Sequence, residues 1–285
     1  MKKALELSIG GHVSAAGGFY KAVERATAIG GTAMQIFGAS PRSFQAPLPK
    51  KEEIEKYQIA LKASPIRAVY LHALYLVNLA TADEVLFAKS EKSLADHLRI
   101  AEALGADGLV FHPGSAKGLT RIEALSRQAE ALKRIIKSVP GRAKLLVENT
   151  AGGGDKLGGP LEDLEFLINK VSSSRFGVCL DTAHAFEYGL VKQYSATECK
   201  KLLEDFDRKI SLDKLVVIHV NDSKTPNASN SDRHENIGRG EIGLEGFKNL
   251  AKMEKLREKT WLLEVPGFKD EGPDAENVRI LRNCF

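Results

Sequence analysis

The sequence predicts an α/β protein folded as a single closed (β/α)8 barrel. Eight short apolar segments alternate with helix-like segments along the 285 residues, and a helical pattern follows nearly every apolar segment. Each apolar segment is almost free of charge until its end, which is typical of parallel strands buried on both faces. Eight strand–helix units favour a closed barrel over a doubly wound sheet.

The predicted strands are rich in Val, Ile, Leu and Phe. They comprise residues 5–11, 33–37, 67–72, 108–112, 143–148, 176–181, 215–220 and 260–264. Length alone would also allow two smaller domains. Because no long linker, low-complexity tract or change of composition interrupts the pattern, we expect one domain over residues 1–285.

The segments between the strands carry helix start and stop signals. Thr81, Thr120 and Ser195 are each followed three residues later by Glu, the pattern of a capping box at a helix N-terminus. Pro160 suits a first helical turn, and Gly105 suits a helix C-terminus. These signals predict helices after the third, fourth, fifth and sixth strands.

Three segments that follow predicted strands are longer than ordinary connections. They are residues 38–50, 73–80 and 222–241. Loops that follow the strands of such a barrel lie on its catalytic face, and long loops there commonly bind ligands.

Composition is that of an ordinary globular protein, with 43% hydrophobic and 27% charged residues. The three cysteines are widely spaced and form no CxxC pair, which indicates a reducing compartment and argues against disulfides and a Cys₄ zinc site. No apolar run approaches the roughly 20 residues that span a bilayer. The N-terminal apolar stretch is too short for a secretion signal. We therefore expect a cytoplasmic protein without membrane association.

Ligand-type side chains are concentrated at the C-terminal ends of the predicted strands or just beyond them. Taken singly, each is more commonly a hydrogen-bonded polar group than a metal ligand. Taken together, they follow six consecutive strands, whose ends would meet on one rim of a closed barrel. The nine residues are His72, His112, Glu148, Asp181, His184, His219, Asp232, His234 and Glu264.

Imidazole and carboxylate ligands without a thiolate suit Zn²⁺, or alternatively Mn²⁺, Fe²⁺ or Co²⁺. Nine ligands are too many for one tetrahedral zinc ion but suit two or three ions. Clusters of this kind mainly catalyse displacement at phosphorus. The formal net charge of +4 would become more positive with such ions bound, which favours a polyanionic partner.

Motifs along nearly the whole chain resemble endonuclease IV, the zinc-dependent apurinic/apyrimidinic endonuclease family of base-excision repair. The most specific motifs are FHPGS, VENTAGG, DTxHAF, HxND and DRHExIGxG, and they occur in the order expected for that family. The matching segments are GGHVSAAGG (10–18), HALYLVNLA (72–80), FHPGS (111–115), VENTAGGG (147–154), CLDTAHAF (179–186), HVNDSK (219–224), DRHENIGRGEIG (232–243) and LEVPG (263–267).

The resemblance implies a TIM-type barrel with three zinc ions, although Mn²⁺ or Fe²⁺ could fill some sites. By the resemblance, one ion is bound by His72, His112 and Glu148. Glu148 bridges to a second ion held also by Asp181, His219 and Glu264. The third ion is bound by His184, Asp232 and His234. Glu148 and Glu264 are the implied catalytic residues, with Glu264 helping to orient the nucleophile.

The implied reaction is hydrolysis of duplex DNA on the 5′ side of an abasic site, which leaves a 3′-hydroxyl and a 5′-deoxyribose phosphate. Removal of blocking groups from 3′ ends is a related expectation. Arg42, Tyr75 and Leu76 resemble family residues that enter the DNA at the lesion. The other expected DNA contacts are Asn149, Ser223 and Lys224. We expect a monomer, and His12 is expected to support the site.

Two other functions remain open on the sequence. Metal-dependent sugar isomerases and epimerases use a similar barrel with His and carboxylate ligands, but they typically hold one or two metals. A lesion-binding protein with a structural metal cluster would show the same ligands. Activity on a ketose without nicking of abasic DNA would favour the first, and metal-dependent turnover would exclude the second.

Overall fold

The computed structural model describes residues 6–40 and 43–285, and its central feature is a closed barrel of eight parallel strands. The barrel strands are β1 (Ser8–His12), β2 (Ala33–Phe37), β3 (Ala68–His72), β4 (Gly108–Phe111), β5 (Lys144–Glu148), β6 (Phe176–Asp181), β7 (Leu215–His219) and β10 (Thr260–Leu263). They follow one another around the barrel in chain order, and β10 pairs with β1 to close it. The predicted fold class is confirmed, and each predicted strand ends within one residue of its observed C-terminal end.

Helices follow the strands and cover the outside of the barrel. They are α1 (Phe19–Ala28), α2 (Lys51–Lys62), α3 (Glu84–Leu104), α4 (Arg121–Ser138), α5 (Leu161–Val171), α6 (Thr182–Tyr188), α7 (Ala196–Lys209), α8 (Gly243–Ala251), α9 (Glu254–Arg257) and α10 (Ala275–Arg282). A 3₁₀ turn, Leu212–Lys214, precedes β7. None of the helices in the described residues has both the length and the apolar character needed to cross a membrane.

The helix signals in the sequence have mixed outcomes. The capping box of Thr120 is complete, and Ser195 caps α7 by accepting from the Glu198 backbone N–H. Gly105 ends α3 with a left-handed φ of 68°. The prediction for Thr81 is wrong: Asp83 caps α3, because its carboxylate accepts from two backbone N–H groups of the first turn. Pro160 occupies the N-cap position of α5 rather than its first turn.

Alternation along the strands divides the core into two parts. The outward-facing residues pack against the helices. The inward-facing residues form a separate layer inside the barrel, made of Ala33, Tyr70, Val110, Leu146, Cys179, Val217 and Leu262. Because successive side chains on a strand point to opposite faces, the residue two positions later also points inward and lies nearer the C-terminal rim. These next positions are Gln35, His72, His112, Glu148, Asp181, His219 and Glu264.

A two-stranded antiparallel hairpin lies between β7 and α8. It consists of β8 (Asp222–Ser223) and β9 (His234–Glu235), paired through Ser223 with His234 and Asp222 with Glu235. The pairing folds residues 224–233 into a loop whose end reaches the barrel rim. This hairpin carries Asp232 and His234, which no barrel strand contributes.

Candidate metal centre

The first group of ligand-type side chains is built by three neighbouring strands. His72 Nε2 and His112 Nε2 lie 3.1 Å and 3.2 Å from Glu148 Oε2. His72 Nδ1 donates to the carbonyl oxygen of Ala73 at 2.7 Å, so a neutral His72 ring would offer the lone pair of Nε2 to a cation between it and the carboxylate. The side chains of His72 and Glu148 are buried. This is the set that the sequence predicted for one ion.

The second group shares Glu148 with the first. His219 Nδ1 lies 2.9 Å from Glu148 Oε1 and 3.3 Å from Glu264 Oε2. Ligand atoms of Glu148, Asp181, His219 and Glu264 all lie within 4.8 Å of one another. The structure therefore brings together the four residues predicted for the bridged ion.

The third group lies where β6 passes into α6 and where the hairpin meets the rim. Asp181 ends β6 and caps α6 by accepting from the His184 backbone N–H at 2.8 Å. His184 Nε2 and His234 Nε2 lie 3.3 Å and 3.6 Å from Asp232 Oδ1. Asp181 Oδ2 also borders this group, 3.7 Å from His234 Nε2. The predicted set is assembled, with Asp181 as an additional neighbour.

The three groups hold ionised carboxylates in a buried place. Burial alone would raise the pKa of Glu148, but the imidazoles of His219 and His112 outweigh it and hold that pKa well below its usual value. The pKa of Asp232 is likewise lowered, because His184 and His234 offset the effect of burial. Concentrated negative charge facing imidazole nitrogens is suited to binding divalent cations.

A thiol also lies beside the second group. Cys179 Sγ is close to ligand atoms of Glu148 and His219. Burial raises the pKa of Cys179 to about 12, so in the metal-free protein the thiol stays protonated at neutral pH. All three cysteines are free and buried.

The sequence did not predict two buried side-chain amides that hydrogen-bond to carboxylates of the site. Gln35 Nε2 donates to Glu264 Oε1 at 2.6 Å, and Asn221 Nδ2 donates to Asp181 Oδ2 at 2.6 Å. The expected supporting residue His12 also lies at the site, with Nδ1 3.1 Å from Glu264 Oε1. Gln35 could have been found as the one polar residue within the apolar strand AMQIF.

Two predicted DNA contacts are buried instead. Asn149 is fully buried, accepts from the Asp181 backbone N–H at 2.6 Å and donates to the Asp181 carbonyl at 3.1 Å. Ser223 is fully buried and donates its hydroxyl to Glu187 Oε1 at 2.7 Å. Asn149 positions Asp181 through these two bonds, and Ser223 holds the hairpin. Contact of either residue with a phosphate stays a prediction.

The remaining predicted contacts are exposed or lie outside the described part of the chain. Tyr75 is 64% exposed although its side chain is aromatic, and Leu76 is 47% exposed although its side chain is apolar. The Tyr75 ring packs against His72 and His112, with centroids 5.8 Å apart in both cases. Lys224 is exposed on the hairpin. Arg42 falls outside the described residues.

An open cavity of about 780 Å³ gives access to the ligand groups. Tyr75 and His112 line one side of it, and Pro266 and Pro273 line another. Asp232, with 44% of its side chain exposed, lies at its mouth. A cavity of this size and openness can admit an extended, charged substrate to the buried groups.

Two buried carboxylates organise the hairpin that carries Asp232 and His234. Asp222 accepts from the backbone N–H groups of Gly238, Gly240 and Ile242 at 2.9, 3.0 and 2.9 Å. Glu187 Oε1 accepts from the Arg233 backbone N–H at 3.2 Å, between Asp232 and His234. Asp222 and Glu187 therefore help to position the third group, although neither residue belongs to it.

Comparison with known proteins agrees with this geometry. The profile of a family described as a xylose isomerase-like TIM barrel matches residues 23–284. A protein of Halothermothrix orenii named as a probable endonuclease 4 is 41% identical over 277 residues, covering 97% of this chain and 99% of its own. Endonuclease 4 of Thermus thermophilus is 40% identical over 276 residues and covers 96% of each chain.

Comparison with solved structures distinguishes proteins that share only the fold from a protein that is also similar in sequence. An epimerase from E. coli acting on 3-keto-D-glucoside has a TM-score of 0.70 over 98% of this chain and all of its own, but at 13% identity this shows the fold alone. The crystal structure of endonuclease IV from a second strain of Thermus thermophilus has a TM-score of 0.84 at 38% identity, covering 97% of this chain and 98% of its own. Because sequence and structure agree over nearly the full length, this chain belongs to the endonuclease IV family of nucleases.

Proposed function

We propose that this protein is a DNA-repair endonuclease that hydrolyses the phosphodiester bond 5′ to an abasic site in duplex DNA. The products are a 3′-hydroxyl and a 5′-deoxyribose phosphate, and the same site removes blocking groups from 3′ ends. The observation that carries this proposal is the set of three adjoining ligand groups at the floor of an open cavity. Family membership supports nuclease chemistry at this site.

The spacing of the ligand atoms supports zinc as the metal. Tetrahedral zinc with bonds of about 2.0–2.1 Å keeps its ligand atoms about 3.3 Å apart. Neighbouring nitrogen and oxygen atoms in the three groups lie 2.9–3.7 Å apart. In addition, the buried Nε2 atoms of His184 and His234 lack a hydrogen-bond partner. A metal ion would supply what these two atoms lack.

We assign three Zn²⁺ ions to the groups, and Mn²⁺ or Fe²⁺ are candidates for some of them. His72 and His112 would hold the first ion, Glu148 would join the first to the second, and His184 with Asp232 and His234 would hold the third. Asp181, His219 and Glu264 would complete the second group. Such ions supply an activated water and neutralise charge on a phosphodiester.

The chain's own residues orient this chemistry. Glu148 uses both carboxylate oxygens, one toward the first group and one toward the second. Glu264 is held through Oε1 by Gln35 and His12, so Oε2 faces His219 and the second group. Glu148 and Glu264 would thereby direct carboxylate oxygens toward a water activated at the second group.

Tyr75 and Leu76 are the residues we propose to enter the DNA at the lesion, together with Arg42, while Lys224 contacts the backbone. Replacing both Tyr75 and Leu76 with Ala is expected to lower kcat/KM for nicking abasic duplex DNA about 10- to 100-fold, because base–aromatic stacking is worth about 1–3 kcal/mol. Zinc content should stay at the wild-type level. Steady-state nicking assays and metal analysis measure both.

The matched control is Val85→Ala, since Val85 is 64% exposed and does not line the cavity. It should nick at the wild-type rate. Unchanged kcat/KM in the double variant would contradict insertion of these two side chains.

The function as a whole is tested by nicking of a duplex oligonucleotide with one abasic-site analogue. We expect cleavage 5′ to the lesion by the purified protein, loss of cleavage after removal of metal by a chelator, and recovery on addition of zinc. Absence of cleavage by the folded, metal-loaded protein would overturn the proposal.

The second candidate is a metal-dependent sugar isomerase or epimerase, favoured by the shared barrel. It predicts turnover of a ketose without nicking, so the same protein preparation should be assayed on both substrates. A lesion-binding protein without turnover would bind the abasic duplex and leave it intact. We further propose one domain over residues 1–285 that acts as a cytoplasmic monomer on duplex DNA.

A further inference from the structure

The histidines of the metal centre are oriented in two different ways. His72 and His184 donate Nδ1–H to the backbone carbonyl oxygens of Ala73 and Asn149, at 2.7 Å and 2.9 Å. A backbone carbonyl is present whichever residue occupies the position, so these two contacts do not require a particular side chain. His219 has no such carbonyl; its Nε2 lies 2.9 Å from the side-chain oxygen of Gln35. The hydrogen bond at Nε2 of His219 therefore depends on one residue type at one position.

The hydrogen bonds of Gln35 have only one consistent arrangement. Glu264 Oε1 is an acceptor, so the amide group 2.6 Å from it must be the donor Nε2. The amide oxygen then faces His219 and can only accept, so His219 must carry a proton on Nε2. The lone pair of a neutral His219 ring is thus on Nδ1, facing Glu148 Oε1 at 2.9 Å and Glu264 Oε2 at 3.3 Å.

We propose that Gln35 is the positioning residue of the second metal site. It fixes the tautomer of His219 and the rotamer of Glu264 at once, across the barrel from β2 to β7 and β10. The residue is fully buried, so its hydrogen bonds to His219, Glu264 and His12 are made without competition from water. The inference rests on the proposed function, since it concerns the metal that the second group would bind.

The test compares zinc binding and hydrogen exchange in the full-length protein. Gln35→Met keeps the approximate length of the side chain and removes its hydrogen bonds to His219, Glu264 and His12. We expect one of the zinc-binding steps measured by chelator competition, that of the second site, to weaken about 10- to 100-fold. The His219 Nε2 proton of the zinc-loaded protein, observed by NMR, should exchange slowly in wild type and rapidly in this variant.

A second variant separates the two contacts. Gln35→Glu keeps an acceptor for His219 but places a carboxylate oxygen against Glu264 Oε1. It should retain the slowly exchanging His219 proton and still lose zinc affinity. Tyr70→Phe is the control, because it removes a polar group from the layer beneath without contacting either ligand, and both readouts should match wild type.

The outcomes are distinct. Zinc affinity and His219 proton exchange at wild-type values in both Gln35 variants would overturn the inference while leaving the proposed function intact. A wild-type protein that binds no zinc would overturn both. If Gln35→Met does not fold, the Gln35→Glu result alone decides.

Discussion

Replacing Glu148 with Gln is expected to lower the rate of nicking of abasic DNA at least about 10³-fold, since metal ions supply several kcal/mol of charge stabilisation. The two oxygens of Glu148 face His72 and His112 on one side and His219 on the other, at 2.9–3.2 Å. An amide offers one acceptor and one donor in place of two anionic oxygens. The joined first and second groups would lose their shared ligand.

Single-turnover nicking and metal analysis of the purified variant measure this effect. We expect zinc content to fall together with the rate. Glu241→Gln is the matched control, because Glu241 is an exposed carboxylate in the segment after the hairpin and its replacement removes the same charge. A Glu148→Gln protein with full zinc content and a normal rate would show that Glu148 does not join the metal sites.

The second large effect is expected for Asp222→Asn, which should lower the free energy of unfolding by at least about 2 kcal/mol. Asp222 is fully buried and accepts four backbone N–H groups from residues 238–243 at 2.9–3.3 Å. An amide of the same shape turns a donor toward some of these donors and leaves them without partners. Urea unfolding followed by circular dichroism measures the loss.

The same substitution at Asp83 provides the control. Asp83 accepts from two backbone N–H groups at the exposed start of α3, at 2.9 Å and 3.0 Å. Asn caps helices about as well as Asp, so the stability of Asp83→Asn should stay within about 0.5 kcal/mol of wild type. Equal losses in the two variants would contradict the special role of Asp222. We also expect the Asp222 variant to bind the third metal ion more weakly.

Much of the metal centre could be read from the sequence because of a simple geometric relation. Residues such as His72 and Glu148 end strands whose interior positions are apolar, and strand alternation places them on the same inward face as Tyr70 and Leu146 two positions earlier. Closure of parallel strands then brings their C-terminal ends to one rim. Strand ends and ligand-type residues can both be recognised within short stretches of sequence, so the sequence alone was sufficient to predict that these side chains meet.

Asn149 and Ser223 show where the local pattern was insufficient. Both follow strands of the site and both carry a polar side chain, yet the structure buries them beneath Asp181 and beside Glu187. Whether a polar residue after a strand faces solvent or supports a neighbour depends on the direction that the chain takes next. That direction is set by the packing of α6 and the hairpin. This packing cannot be predicted from the residues that neighbour Asn149 and Ser223 in the sequence.

The sequence by itself determined the barrel, the ends of its strands and the nine ligand-type residues at its rim. Only the tertiary structure decided that Gln35 reaches His219 and Glu264, that Asp181 borders two groups, and that Asp222 holds the hairpin. The physical reason is distance along the chain. Gln35 and Glu264 are 229 residues apart in sequence, and the contact between them exists only because the eight strands close.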